Sequence, residues 1–152
     1  MYFKLIYNPS MKKPSLFIAL CLVIFSVQAA TEYGTAIVSK VISVYDGDTF
    51  RVDIDSLPPI VGKNIPIRLN GVDTPEIQGK CQYEQDLALK TRDFVRKRLA
   101  NAKEIKLTKL QRGKYFRVVA DVMVDGVSLE KVLLDNELAY KYTGGKKSSW
   151  CD

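Results

Sequence analysis

Two short acidic segments carry the side chains best suited to chemistry: Asp46-Gly47-Asp48-Thr49 and Asp73-Thr74-Pro75-Glu76. Carboxylate oxygens suit a hard cation, and a glutamate beside one can take a proton from water. Taken singly, however, the first segment also reads as a hairpin turn and the second as a solvated loop. Two arginines nearby change the weighing. Arg68 lies five residues before Asp73, and Arg117 follows Lys114-Tyr115-Phe116 at the start of an alternating stretch. A guanidinium can fork onto phosphate oxygens in a way that lysine does not copy. An odd separation would put Arg68 and Asp73 on opposite faces of an unbroken strand. A bulge at Leu69-Asn70-Gly71 would reset that alternation. The chain contains no histidine, which excludes histidine-based nucleases and serine- or cysteine-histidine hydrolases.

The hydrophobic pattern supplies the elements that must position these residues. Gly34 to Tyr45 reads as a strand, and Phe50 to Ile54 as its partner, alternating apolar Phe50, Val52 and Ile54 with Arg51 and Asp53. Leu57-Pro58-Pro59 marks a loop. Ile65 to Val72 resumes as a strand and stops at Pro75. Residues 84–102 predict a helix, with Leu87, Thr91, Phe94, Val95 and Leu99 at three- and four-residue spacings. A strand begins at Ile105 and Leu107, another runs from Arg117 to Val124, and Asp125-Gly126 turns the chain. Ser128 caps a second helix carrying Leu129, Val132 and Leu133, and Tyr140 to Asp152 reads as a loop. Strands, helix, strands and helix predict an α+β, mainly β fold: a small twisted OB-type barrel with two to three helices.

Met11-Lys12-Lys13-Pro14 precedes an apolar run, Leu16 to Val27, and then small residues at Val27, Ala29 and Ala30. That order predicts a secretory signal peptide over 1–29, cleaved after Ala29 or Ala30, with Met11 as a possible start. The run reaches only about two-thirds of a ~30 Å hydrocarbon core, too short for an anchor. Cys21 lies inside it and lacks the small residue that lipoprotein processing wants. The whole chain carries a formal charge of +6; without Lys4, Lys12 and Lys13, 20 basic residues face 17 acidic ones, or +3. Such a charge permits a polyanionic partner without demanding one. Residues 30–152 form one domain, expected to be secreted or periplasmic and monomeric, with no stable membrane association. Cys81 and Cys151 remain, as a disulfide or as two thiols. A disulfide would tie the tail to the segment after the Asp73 loop.

Asp46-Gly47-Asp48-Thr49, Arg68-Leu69-Asn70-Gly71-Val72-Asp73-Thr74-Pro75-Glu76 and Lys114-Tyr115-Phe116-Arg117 together resemble three signatures of the staphylococcal (micrococcal) nuclease family. Order and spacing both match, over roughly residues 35–143. The resemblance implies a five-stranded OB-type barrel and an exported endonuclease that hydrolyses DNA and/or RNA with one calcium ion, leaving 3′-phosphates. It places Asp48, Asp73 and the backbone carbonyl of Thr74 on the ion, with Asp46 shaping the site from alongside. Glu76 becomes the general base, and Arg68 and Arg117 the groups that stabilise the phosphate. Lys114 and Tyr115 contact a terminal phosphate of the substrate, and Tyr142 stacks on a base. Two departures stand out: Phe116 occupies a usual glycine position, and the loop from Ile77 to Tyr83 is short and contains Cys81. The rival readings are an inactive OB-type module that only holds nucleic acid, and a disulfide-stapled structural domain. Neither needs both arginines beside Asp48, Asp73 and Glu76.

Overall fold

The computed structural model describes residues 32–151, so the expected leader lies outside the described residues. Five strands of five to eight residues carry the sheet: β2 (Lys40–Val44), β3 (Thr49–Asp53), β4 (Ile65–Leu69), β6 (Ile105–Arg112) and β7 (Val118–Val124). Two-residue pieces extend it, β1 (Ala36–Ile37) and β8 (Val127–Ser128), while β5 (Val72–Asp73) and β9 (Tyr140–Lys141) pair separately. The five expected strands are thus the long ones, and the additional short ones come from how the chain bends between them. Helices α1 (Pro59–Gly62), α2 (Gln82–Ala100) and α3 (Leu129–Asp135) complete a mainly β, α+β architecture.

The sheet runs β1-β6-β7-β4-β3-β2, antiparallel except for the parallel pair β4–β7. Its two ends are consecutive pieces of chain. The expected strand from Gly34 to Tyr45 breaks at Val38-Ser39, where the Val38 amide donates to Ile105 at 2.9 Å and the Ser39 amide to Asp53 at 2.8 Å. One bent run therefore pairs with β6 at one end and β3 at the other, and the sheet curls round to meet itself. This is the OB-type arrangement.

Alternation fills the interior. Phe50 and Val52 of β3, Ile67 and Leu69 of β4, Leu107 of β6 and Val122 and Val124 of β7 are all essentially inaccessible to water. Each such side chain contributes about 1.5–3 kcal/mol relative to an exposed one. Helix α2 begins and ends two residues earlier than its pattern predicts, and buries Glu84, Ala88, Thr91, Val95 and Leu99. The expected Leu87 and Phe94 pack only along its margin. Ser128 caps α3 as its type predicts, accepting from the Lys131 amide at 3.2 Å. Where the prolines indicated only a loop, Pro59 opens the single turn of α1, a position that loses no helical hydrogen bond.

Candidate active site

The acidic turn between β2 and β3 is held by its own first residue. Asp46 Oδ1 accepts from the Asp48 amide at 3.0 Å and the Thr49 amide at 2.7 Å, the local bonding that makes Asp a turn residue. Gly47 lets this turn lie flat. A Cβ there would sit 2.8 Å from Thr74 Cγ2 and closer still to Thr91 of α2, so any side chain would lift Asp48 away from the second acidic segment. Asp48 Oδ1 accepts from Thr49 Oγ1 at 3.0 Å, and Oδ2 accepts from the Thr74 amide at 3.1 Å.

The parity problem between Arg68 and Asp73 is solved by a turn. Strand β4 ends at Leu69, Gly71 takes φ +79°, and β5 starts again at Val72. Gly71 also passes so near α3 that a Cβ would meet the Glu130 carboxylate at 2.9 Å. The reversal brings Asp73 back onto Arg68. Arg68 Nη1 pairs with Asp48 Oδ2, while Nη2 donates to the Val72 carbonyl at 3.1 Å and stands 3.6 Å from Asp73 Oδ1. Asp46, Asp48, Asp73 and Thr74 are all buried, whereas the Glu76 side chain is about half exposed at the open side of the cluster.

Arg117 arrives from another direction. Strand β7 runs parallel to β4 with Arg68 opposite Val119, and β3 sets Thr49 opposite Arg68. Alternation then puts Thr49, Arg68, Val119 and the extended Arg117 on one outer face. Arg117 lines a groove of about 540 Å³ together with Tyr45, Thr49, Arg51, Pro66 and Tyr115. Lys114 and Tyr115 occupy the 3-10 turn before Arg117, and Tyr115 and Phe116 both adopt left-handed φ, 57° and 59°. That conformation explains why a glycine suits position 116. Phe116 is 83% exposed, so it fills no space inside the site. Tyr142 follows β9, in which Tyr140 is the residue paired with Asp73; the Tyr142 amide donates to the Gly71 carbonyl at 2.8 Å, and its hydroxyl donates to the Gly145 carbonyl at 3.1 Å.

Two groups at this site have no signal in the local sequence. Glu84, buried on α2, accepts from the Glu76 amide at 3.3 Å and the Lys80 amide at 2.9 Å, and so shapes the loop that carries Glu76. Its position four residues before Ala88 on the inner face is the only hint. Lys147, in the tail, sets its ammonium 2.7 Å from Asp73 Oδ1 and 2.6 Å from Glu76 Oε1. Burial works against that charge, but the Asp73 and Glu76 carboxylates outweigh it and push Lys147 above its ordinary value. For Asp46, burial first and the Asp48 charge second drive its carboxyl up to about 7, against the opposing Asp48 and Thr49 amides. The tail is drawn to this loop by Cys151, whose sulfur lies at bonding distance, 2.12 Å, from that of Cys81.

The donor set is the kind that a hard cation takes: two buried carboxylates, Asp48 and Asp73, with Thr74 between elements and a third carboxylate at the rim. Two orphans point the same way. Thr74 Oγ1 is buried with no hydrogen-bond partner, and Asp73 Oδ1 has no aligned donor despite the nearby ammonium. Arg68 and Lys147 now meet the carboxylate charge, and among the described residues Asp48, Asp73 and Glu76 do not close into a trio within 4.8 Å. The residues fit a divalent cation in exchange for those contacts.

The fold is an OB-type barrel in which Asp48 and Asp73 meet Arg68, while Arg117 lies on the same sheet face as Arg68. A family model described as staphylococcal nuclease homologue matches residues 66–149, and the chain belongs to that family. A protein named thermonuclease from Staphylococcus hyicus is 34% identical over 101 residues, covering 66% of this chain and 56% of that protein. The match thus spans little more than half the length of that relative.

Proposed function

We propose that this chain is an exported, calcium-dependent nuclease that hydrolyses phosphodiester bonds of DNA and/or RNA. The observation that carries this reading is the meeting of Asp48, Asp73 and the Arg68 guanidinium at one buried point, with Glu76 at its open side. Membership of the nuclease-homologue family and the thermonuclease relative support it.

Asp48, Asp73 and the Thr74 carbonyl would hold calcium, with Asp46 fixing the turn that presents Asp48. Calcium bound there would supply Lewis-acid polarisation of a phosphoryl oxygen and help orient the attacking water. Glu76 takes the proton from that water. It is the carboxylate with most access to solvent in the cluster, and histidine is not available for the task. Arg68, released from Asp48, and Arg117 donate forked hydrogen bonds to the phosphate oxygens, and these bonds strengthen as negative charge builds. The remaining strand runs along the groove, where Arg51 offers positive charge and Tyr115 and Tyr45 offer ring faces to bases; Lys114 adds charge in the adjoining turn, and Tyr142 offers another ring on the segment bonded to Gly71. Contacts of this kind read phosphate and stacking rather than sequence, so selectivity is low. The Cys81–Cys151 pair forms a disulfide suited to an exported protein.

The test is incubation of the purified protein with plasmid DNA and with RNA, each with calcium and with a chelator. Cleavage with calcium and none with chelator is expected. DNA retained on the protein yet never cut would instead make this a binding module.

A further inference from the structure

A cation of the protein's own already meets the assembled carboxylates. Among the described residues Lys147 is the one cation paired with both Asp73 and Glu76, at 2.7 and 2.6 Å, so these two oxygens lie no further apart than those contacts laid end to end. It comes from the tail, more than seventy residues away in sequence. Such a contact on a loose tail would be fleeting, because ordering a lysine costs about 2 kcal/mol of rotamer freedom. Here the tail is fastened. Trp150 is 9% exposed and stacks on Tyr140, with ring centroids 3.9 Å apart and planes at 19°. Tyr140 is itself the strand partner of Asp73. One residue further, Cys151 meets Cys81 at the start of α2, and Glu84 of that helix holds the Glu76 amide. Both anchors therefore rest on the elements that carry Asp73 and Glu76, and Lys147 is delivered to them at high local concentration.

We propose that Lys147 is an intramolecular cation that a divalent ion must displace, and that the anchored tail thereby sets how tightly the site binds calcium. The inference rests on the metal-site reading of Asp48 and Asp73. A unit positive charge a few ångströms from the ion repels it, and the same ammonium holds Glu76 Oε1 and Asp73 Oδ1 in a private pairing. Binding of calcium releases Lys147 toward solvent, where its partly exposed stem has room to turn. Glu76 is then freed to face water. Calcium entry and activation of the base become one event.

Calcium titration by calorimetry on three proteins tests this: the parent, Lys147→Met and Lys146→Met. Methionine keeps the apolar stem and removes the charge, and Lys146→Met removes the same charge from the neighbouring residue. Lys147→Met is expected to bind calcium about tenfold more tightly, as loss of one nearby charge at a partly screened site implies, with Lys146→Met close to the parent. Thermal melts supply a second readout: calcium should raise the Tm of Lys147→Met more than that of the parent, by linkage. Equal or weaker calcium binding by Lys147→Met overturns the proposal and leaves the metal site standing. An equal gain in Lys146→Met overturns it too, because the effect is then general charge. If none of the three binds calcium, the metal-site reading fails and this inference falls with it.

Discussion

At the scale of single residues, the two arginines have the same assigned role but different surroundings, and that difference separates their mutants. The Arg68 side chain is 14% exposed and pairs with buried Asp48 and Asp73, whereas Arg117 lines an open groove. Arg117→Ala is expected to cut turnover by two or more orders of magnitude with a Tm within a few degrees of the parent. Arg68→Ala should lose turnover and also about 3–5 kcal/mol of stability in chelator, because Asp48 is left buried without a counter-charge and Asp73 keeps only Lys147. Parallel melts and cleavage rates check both; an Arg68→Ala protein as stable as the parent would contradict the buried pairing. Glu76→Gln should resemble Arg117→Ala, since its ion pair is half exposed and such pairs contribute little. Phe116 offers a different kind of test. It holds a left-handed φ while 83% exposed, so Phe116→Gly relieves strain and removes little packing. A small rise in Tm, worth up to about 1 kcal/mol, is expected.

Secondary-structure elements show where local sequence informs and where it stops. The alternation of Phe50, Val52 and Ile54 identifies β3 because the period of two is a property of the strand itself, and Ser128 marks its helix because the cap is local. Arg68 and Asp73 were legible as a pair only through the glycine between them. Their odd spacing sets them on opposite faces of an unbroken strand, and their meeting needs the φ of +79° with which Gly71 turns the chain. Lys147 was not legible at all, since one lysine among basic tail residues has no spacing relation to Asp73 or Glu76. Glu84 is hidden for the opposite reason: it occupies an inward helical position where an apolar residue is the default. Glu84→Ala should therefore cost about 1–3 kcal/mol by leaving the Glu76 and Lys80 amides unpaired, and should impair cleavage beyond that loss of stability. The segment that follows α1, Lys63-Asn64, supplies a pH prediction. Asp53 accepts first from the Asn64 amide, at 2.8 Å, and then from Lys63, at 3.2 Å, which together lower its carboxyl below the ordinary 3.8. A depressed carboxylate stabilises the fold above 3.8, and that contribution disappears as pH falls through the lowered value. Compared with the parent, Asp53→Asn should lose stability less steeply in this acid range, as followed by urea midpoints against pH.

Considered as a whole molecule, the protein is a closed sheet fastened at two distant places. The Cys81–Cys151 pair encloses a 70-residue separation, and on the chain-entropy model a bond of that reach stabilises by roughly 4 kcal/mol. Reduction or a Cys81→Ser/Cys151→Ser variant should lower the Tm by many degrees; an unchanged Tm would mean that the two sulfurs are unbonded thiols. The other fastening is backbone alone. Val38 and Ser39 send successive amides to opposite neighbours, β6 and β3, so a two-residue step joins the first and last strands of the sheet path. On its β6 side this seam joins Ala36 to Leu107 and Ile37 to Lys106, far apart along the polymer, and contacts of such long range form late and slowly. The segment around Ala36 would thus be the zipper's final tooth: trimming back to Tyr33 leaves it in place, whereas removal through Ser39 parts the wall between β3 and β6 and exposes Phe50 and Leu107 to water.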